Sequence, residues 1–194
     1  MELLSIASGS SGNCYYVGNE ETHLLVDAGV SGKKIETALN EIDRKPSDLN
    51  GILVTHEHID HVKGLGVMAR KHGIPIYTTG GTISEIKKMS SVGTIDDSLF
   101  HEIEPDEPFF INDLSIDASA IWHDAADPVC YSISDGKSKF SIATDMGNFD
   151  DYVVNKLKNS DIMVIEANHD IRMLQAGPYP YYLKQRILGN RGHL

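Results

Sequence analysis

Seven residues, Thr55-His56-Glu57-His58-Ile59-Asp60-His61, put three imidazoles and a carboxylate directly after the apolar run Gly51-Ile52-Leu53-Val54. Neutral imidazole nitrogens and carboxylate oxygens are ligands for divalent metal ions. A purely structural turn has no need of three histidines and uses Gly, Asn, Asp or Ser instead, so the cluster reads as a metal site. If the strand continued, His56, His58 and Asp60 would share one face, and a loop leaving the strand tip would fold His61 back beside them. Glu57 would then point away from the ligands and take no catalytic part. A metalloprotease helix is disfavoured, because that motif sets its histidines at i and i+4, whereas here they stand at i and i+2 with Asp60 at i+4.

The spacing resembles the H-x-H-x-D-H motif of the metallo-β-lactamase superfamily. That resemblance directs attention to Trp122-His123-Asp124, after the alternating run Leu114 to Ile121, and to Thr144-Asp145, after the apolar stretch Phe140-Ser141-Ile142. It implies that His56, His58 and His123 hold one metal, and that Asp60, His61 and a bridging Asp145 hold a second. Taken alone, a His or Asp at a strand end is an ordinary cap or turn residue. His58 departs from the flavodiiron branch, where the matching ligand resembles Glu. The superfamily's final histidine has no match: neither His169 nor His193 follows an apolar strand in the expected way. The expectation is a natural chain that continues past Leu194 and carries the seventh ligand there.

Within the superfamily, four stretches are similar to the WalJ (YycJ) group: Ser5 to Tyr16, Leu25-Val26-Asp27-Ala28-Gly29, Glu166-Ala167-Asn168-His169-Asp170, and Tyr179 to Arg186 followed by Gly192-His193-Leu194. The resemblance spans nearly the whole chain and implies a double-stranded DNA 5′-to-3′ exonuclease, with nucleic acid as its partner. Two divalent ions, zinc or manganese, would share a hydroxide and stabilise charge growing on the phosphoryl oxygens. Asp60, Glu166 and His193 are the expected catalytic residues, the last two by likeness to a Glu–His pair that handles the leaving-group proton in tRNA 3′-processing relatives. The plainer alternative is that Glu166 caps a strand and His193 is a surface residue. The likeness also suggests that Asp27 orients a ligand histidine from behind, although Asp-Ala-Gly serves equally as a strand-ending turn. The Gly9 to Gly12 loop could admit a phosphate, or could simply be a turn between strands.

Composition sets the outer limits. The 194 residues are 41% hydrophobic and 23% charged, which fits a single metallo-β-lactamase-like domain over 1–194 with a substantial core. No run suits a membrane span and no signal peptide opens the chain, so the cytoplasm is the default location. Cys14 and Cys130 suit small buried strand positions with free thiols. A net charge of −11 argues against nucleic-acid binding over the whole surface. Acids crowd into Asp96 to Glu107, a solvated loop or edge, whereas Ile171 to Leu194 contains none. There Arg172, Lys184, Arg186 and Arg191 interleave with Tyr179, Tyr181 and Tyr182. Arg172, Tyr179, Lys184 and Arg186 are the candidate substrate contacts, a lip of charge and stacking rings; the alternative is a surface helix whose tyrosines pack on the core.

The elements that must position these residues follow from periodicity. Strands are expected at Glu2 to Ala7, Cys14 to Val17, His23 to Val26, Gly51 to Val54, Ile74 to Thr78, Leu114 to Ile121, Val129 to Ser134, Phe140 to Ala143 and Ile162 to Glu166. Helices are expected at Lys33 to Glu41, Val62 to His72, Ile83 to Met89, Tyr152 to Leu157 and Leu183 to Leu188. The class is α+β, and the resemblance implies an αββα sandwich of two packed mixed sheets with helices on the outer faces. His61, His123 and Asp145 lie too close in sequence to admit the nucleic-acid-clamping insertion of RNase J-type relatives. Two other readings stay open: a glyoxalase II-like thioester hydrolase with the same ligand set, and a non-catalytic, metal-stabilised fold that binds a partner. No protein partner is readable.

Overall fold

The computed structural model describes every residue except Ala167 and His169. The expectation about His169 therefore lies outside the described residues. The chain opens with β1 (Glu2–Ala7), β2 (Cys14–Gly18) and β3 (His23–Val26), then α1 (Gly32–Glu41), β4 (Gly51–Leu53), α2 (Ile59–Val62), α3 (Leu65–His72), β5 (Ile76–Thr78), α4 (Gly80–Lys88) and β6 (Phe100–Glu102). It continues with β7 (Phe109–Ile111), β8 (Leu114–Ala120), β9 (Val129–Ser134), β10 (Lys139–Ala143), α5 (Asp151–Leu157), β11 (Ile162–Ile165), α6 (Ile171–Ala176) and α7 (Tyr181–Ile187).

The strands form two mixed sheets, ordered β1-β2-β3-β4-β5-β6 and β11-β10-β9-β8-β7. Side chains alternate across a strand, and the burial follows that rule. Tyr15, Val17, Leu24, Val26 and Leu53 face inward to meet Leu114, Ile116, Tyr131, Ile133, Phe140 and Ile142 of the second sheet. Their neighbours Tyr16, Leu25, Ile52 and Val54 pack outward against Ile35 and Leu39 of α1 and Leu65 and Met68 of α3. The second sheet's outer face is covered by Val153 and Leu157 of α5, which pack with Cys130 and Ala143. This is the expected αββα layering, and both cysteines are buried and free.

Three expectations need correction. The helix expected over Val62 to His72 is two helices, because at Gly64 the backbone turns to donate its N–H to Ala28 O at 2.7 Å, and a Cβ there would lie 2.2 Å from Val30 O. The strand ends at Leu53, so the ligand motif is not an extended face: His58 caps α2, and Asp60 and His61 lie on its helical turn. That turn is drawn down by two long-range bonds, from Asn13 N–H to Asp60 O at 2.7 Å and from Ala28 N–H to His61 O at 2.8 Å. Strands β6 and β7, and helix α6, were not anticipated. Each strand is three residues long, too short to show a period. The acidic segment lies partly on β6, the edge of its sheet, as expected.

Candidate functional site

The strand ends bring the candidate residues together through contacts behind them. Asp27, fully buried just past β3, adopts a left-handed conformation (φ 62°). Its carboxylate accepts the Thr55 N–H at 2.9 Å and the Thr55 hydroxyl at 2.9 Å, and His61 Nδ1 donates to it at 2.8 Å. With its proton committed to Asp27, the Thr55 oxygen is left to accept from His56 Nδ1 at 3.0 Å. His123 Nδ1 donates to Gly192 O at 3.3 Å. His56 and His123 thus carry the proton on Nδ1 and present an Nε2 lone pair to the site, and His61, held through Nδ1 by Asp27, turns its Nε2 toward Asp145.

His58 is turned the other way, with Nδ1 lying 3.1 Å from both His56 Nε2 and His123 Nε2. One proton could serve only one of those two contacts, and facing lone pairs repel. A cation between the three nitrogens satisfies all of them, and tetrahedral ligands at about 2.0–2.1 Å from an ion stand roughly 3.3 Å apart. This set fits a metal.

Beside it, His61 Nε2 lies 3.0 Å from Asp145 Oδ2 and 3.7 Å from Asp60 Oδ2. Asn13 Nδ2 stands 3.0 Å from the same nitrogen. His56 groups with both sets at metal-ligand range, so the two clusters are contiguous. Their electrostatics differ. Burial, then the neighbouring histidines, pushes the His56 pKa well down, and burial also lowers that of His123. Burial disfavours charge on His61 too, but Asp27 and Asp145 outweigh it and hold its pKa up at about 10. Burial would raise the Asp145 pKa, yet its hydrogen bond to His61 leaves it lowered. In electrostatic terms a proton on His61 stands where a cation would, so the second set also suits positive charge.

Glu166 and His193 meet. His193 Nδ1 lies 2.6 Å from Glu166 Oε1 and 3.4 Å from Asp145 Oδ1, while Glu166 Oε2 accepts the Met146 N–H at 2.7 Å. The carboxylate thus both caps backbone and holds the imidazole. That hydrogen bond raises the His193 pKa against the opposing effect of burial. A polar cavity of about 410 Å³ opens at this end, lined by Ser8, Gly9, Thr144, Asp60, Asp145 and His193 among others.

The family model described as "Beta-lactamase superfamily domain" matches residues 22–188. The exodeoxyribonuclease WalJ of Streptococcus pneumoniae (serotype 2, strain D39) is 43% identical over 97% of this chain and 70% of its own length. The exodeoxyribonuclease YycJ of Bacillus anthracis is 39% identical over 97% of this chain and 71% of its own length.

The chain belongs to the beta-lactamase superfamily.

Within that superfamily it falls in the WalJ/YycJ group. Two solved structures share the fold. YhfI from Bacillus subtilis has a TM-score of 0.69 at 18% identity, covering 86% of this chain and 71% of that one. Zn(2+)-bound PqqB from Methylobacterium extorquens has a TM-score of 0.70 at 16% identity, covering 94% and 68%.

Of the four candidate substrate contacts, Arg186 reaches the cluster: its Nε donates to Asp124 Oδ2 at 2.6 Å, and Asp124 Oδ1 lies 3.5 Å from His123 Nε2. Lys184 instead donates to Gln175 O at 2.7 Å, and Arg172 is exposed on α6. The tyrosines do not pack on the core: Tyr179, Tyr181 and Tyr182 are 53%, 77% and 74% exposed. Glu57 points away from the ligands as expected, accepting the Ala126 N–H at 2.8 Å. Sequence reasoning assigned no role to Thr55, Asn13 or Asp124. Thr55 and Asp124 adjoin ligand histidines in sequence, which is the signal that could have marked them; Asn13, remote in sequence, offered none. No helix among the described residues is long and apolar enough to cross a membrane.

Proposed function

We propose that this chain is a metal-dependent exonuclease that removes nucleotides from the 5′ end of double-stranded DNA, using two divalent ions, zinc or manganese. His56, His58 and His123 would hold one ion; Asp60, His61 and Asp145 would hold the other. The observation that carries the reading is the convergence of three ring nitrogens, His58 Nδ1 standing 3.1 Å from both His56 Nε2 and His123 Nε2, beside a carboxylate-rich set that already favours positive charge. The exodeoxyribonuclease relatives support the phosphodiester substrate. Residues 1–194 act as one unit, since the two sheets share a central core, and the cytoplasm is the proposed location because DNA lies there.

When bound, the ions would lower the pKa of a water and offset negative charge on the phosphoryl oxygens. The chain's own residues do the rest. Asp27 and Thr55 fix the ring orientations of His61 and His56, so that their Nε2 atoms stay aimed at the site. Glu166, anchored by the Met146 N–H, holds His193 in place to deliver a proton to the departing alkoxide.

Duplex DNA labelled at either the 5′ or the 3′ end, offered beside a glutathione thioester, tests the reading. The expected result is metal-dependent early release of the 5′ label as short products, with the thioester untouched. Thioester hydrolysis without DNA cleavage would overturn it and favour the glyoxalase II-like alternative.

A further inference from the structure

A second groove, of about 510 Å³, lies at the histidine end of the cluster and is lined by Trp122, Asp124, Arg186, Asn190 and Arg191 among others. Its size falls within the range of small-ligand sites. Trp122 immediately precedes ligand His123. Its backbone is pinned by a bridge to Asn148 and by the Gly147 N–H, which donates to its carbonyl at 2.8 Å. Trp122 is nevertheless 45% exposed, although tryptophan carries a large apolar surface that folding normally covers. The groove also departs from the overall charge of −11. Two arginines face one aspartate, and that aspartate is already engaged by Arg186. Among the described residues, no carboxylate lies within ion-pairing distance of Arg191.

An exposed flat ring, an uncompensated guanidinium and a second one anchored to Asp124 are the elements of a stacking platform for one nucleotide. We propose that this groove binds the nucleotide next to the cleaved bond, with its base stacked on Trp122 and its flanking phosphate held by Arg191. The proposal rests on the nuclease reading and deepens it: the strand would run from the polar 410 Å³ cavity, across the ligands, to Trp122. Stacking accepts any base, which suits an enzyme that must advance along arbitrary sequence. Asp124 links this grip to the chemistry, since its one oxygen holds Arg186 while the other lies beside His123 Nε2.

The chain contains one tryptophan, so tryptophan emission, excited on the red edge where tyrosine does not absorb, reports on this groove alone. The probe is a fluorescein-labelled, 5′-phosphorylated, 12-base-pair duplex with cleavage-resistant phosphorothioate linkages. It is titrated against the purified chain, with tryptophan emission and label anisotropy followed together. Saturable quenching that tracks anisotropy is expected. Trp122→Ala should weaken binding about tenfold and Trp122→Phe by no more than about threefold, because a phenyl ring still stacks. Arg191→Ala should weaken it and lower the salt dependence by about one phosphate contact. Metal content should be unchanged in all three variants. Binding seen by anisotropy with unaltered emission, or undiminished binding by Trp122→Ala, would overturn the subsite while leaving the nuclease reading intact. No anisotropy change at all, together with no cleavage of an unmodified duplex, would remove the nuclease reading and the subsite with it.

Discussion

The ligand cluster and the C-terminal lip are built by opposite means. His56 and His61 are wholly buried and His123 nearly so, and each has its outward nitrogen fixed by a protein oxygen, that of Thr55, Asp27 or Gly192. Across from them, the three tyrosines around α7 stand in solvent, and of the four candidate substrate contacts Arg186 is the one tied to the cluster, through Asp124. The difference follows from what each must do. Metal-assisted chemistry depends on ligand positions held to fractions of an ångström, which burial and outer hydrogen bonds provide. A surface that grips a moving polymer works through exposed rings and charges, each worth little alone. Substitutions should therefore lose less activity as they move from the ligands outward to the lip.

The largest effect is expected from His58→Ala or Asp60→Ala, either of which should bring duplex hydrolysis down to the metal-free background; full activity with unchanged metal content would break the assignment. Next comes Glu166→Gln, which keeps the shape but removes the charge that holds His193. It should lower kcat by roughly 10²–10⁴-fold with KM and metal content little changed, and thermal denaturation would show whether loss of the bond to Met146 contributes. Asp27→Asn sharpens the comparison from behind the ligands. An amide cannot accept from Thr55 and His61 as the carboxylate does, so metal affinity, read by chelator competition, should fall about 10- to 100-fold. The smallest effect belongs to Arg186→Ala, a twofold to tenfold rise in KM at nearly constant kcat, with a salt slope shallower by about one contact. A collapse of kcat in that variant would mean that the pair with Asp124 governs the ligands themselves.

Much of the fold is legible in the sequence. The strands β1, β3 and β9 fall where alternation and apolar runs put them, because each feeds side chains into a continuous core. His56, His58, Asp60, His61, His123 and Asp145 lie near one another in the structure, and Glu166 meets His193. What was missed depends on partners far away in sequence. The turn carrying Asp60 and His61 is helical because Asn13 and Ala28 pull its carbonyls down, and neither contact has a local signal. Strand β6 exists because β5 offers it a parallel partner. Helix α6 did have a local mark, since the Asp170 side chain accepts the Met173 N–H at 2.9 Å as an N-cap would.

Elemental analysis of the purified, tag-free chain, paired in the same preparation with cleavage of end-labelled duplex DNA before and after chelation, bears most directly on the two-set centre. Two divalent ions per chain, with nuclease activity lost on their removal and restored on their return, is the predicted result. One ion or none in a chain that still cuts DNA would contradict it.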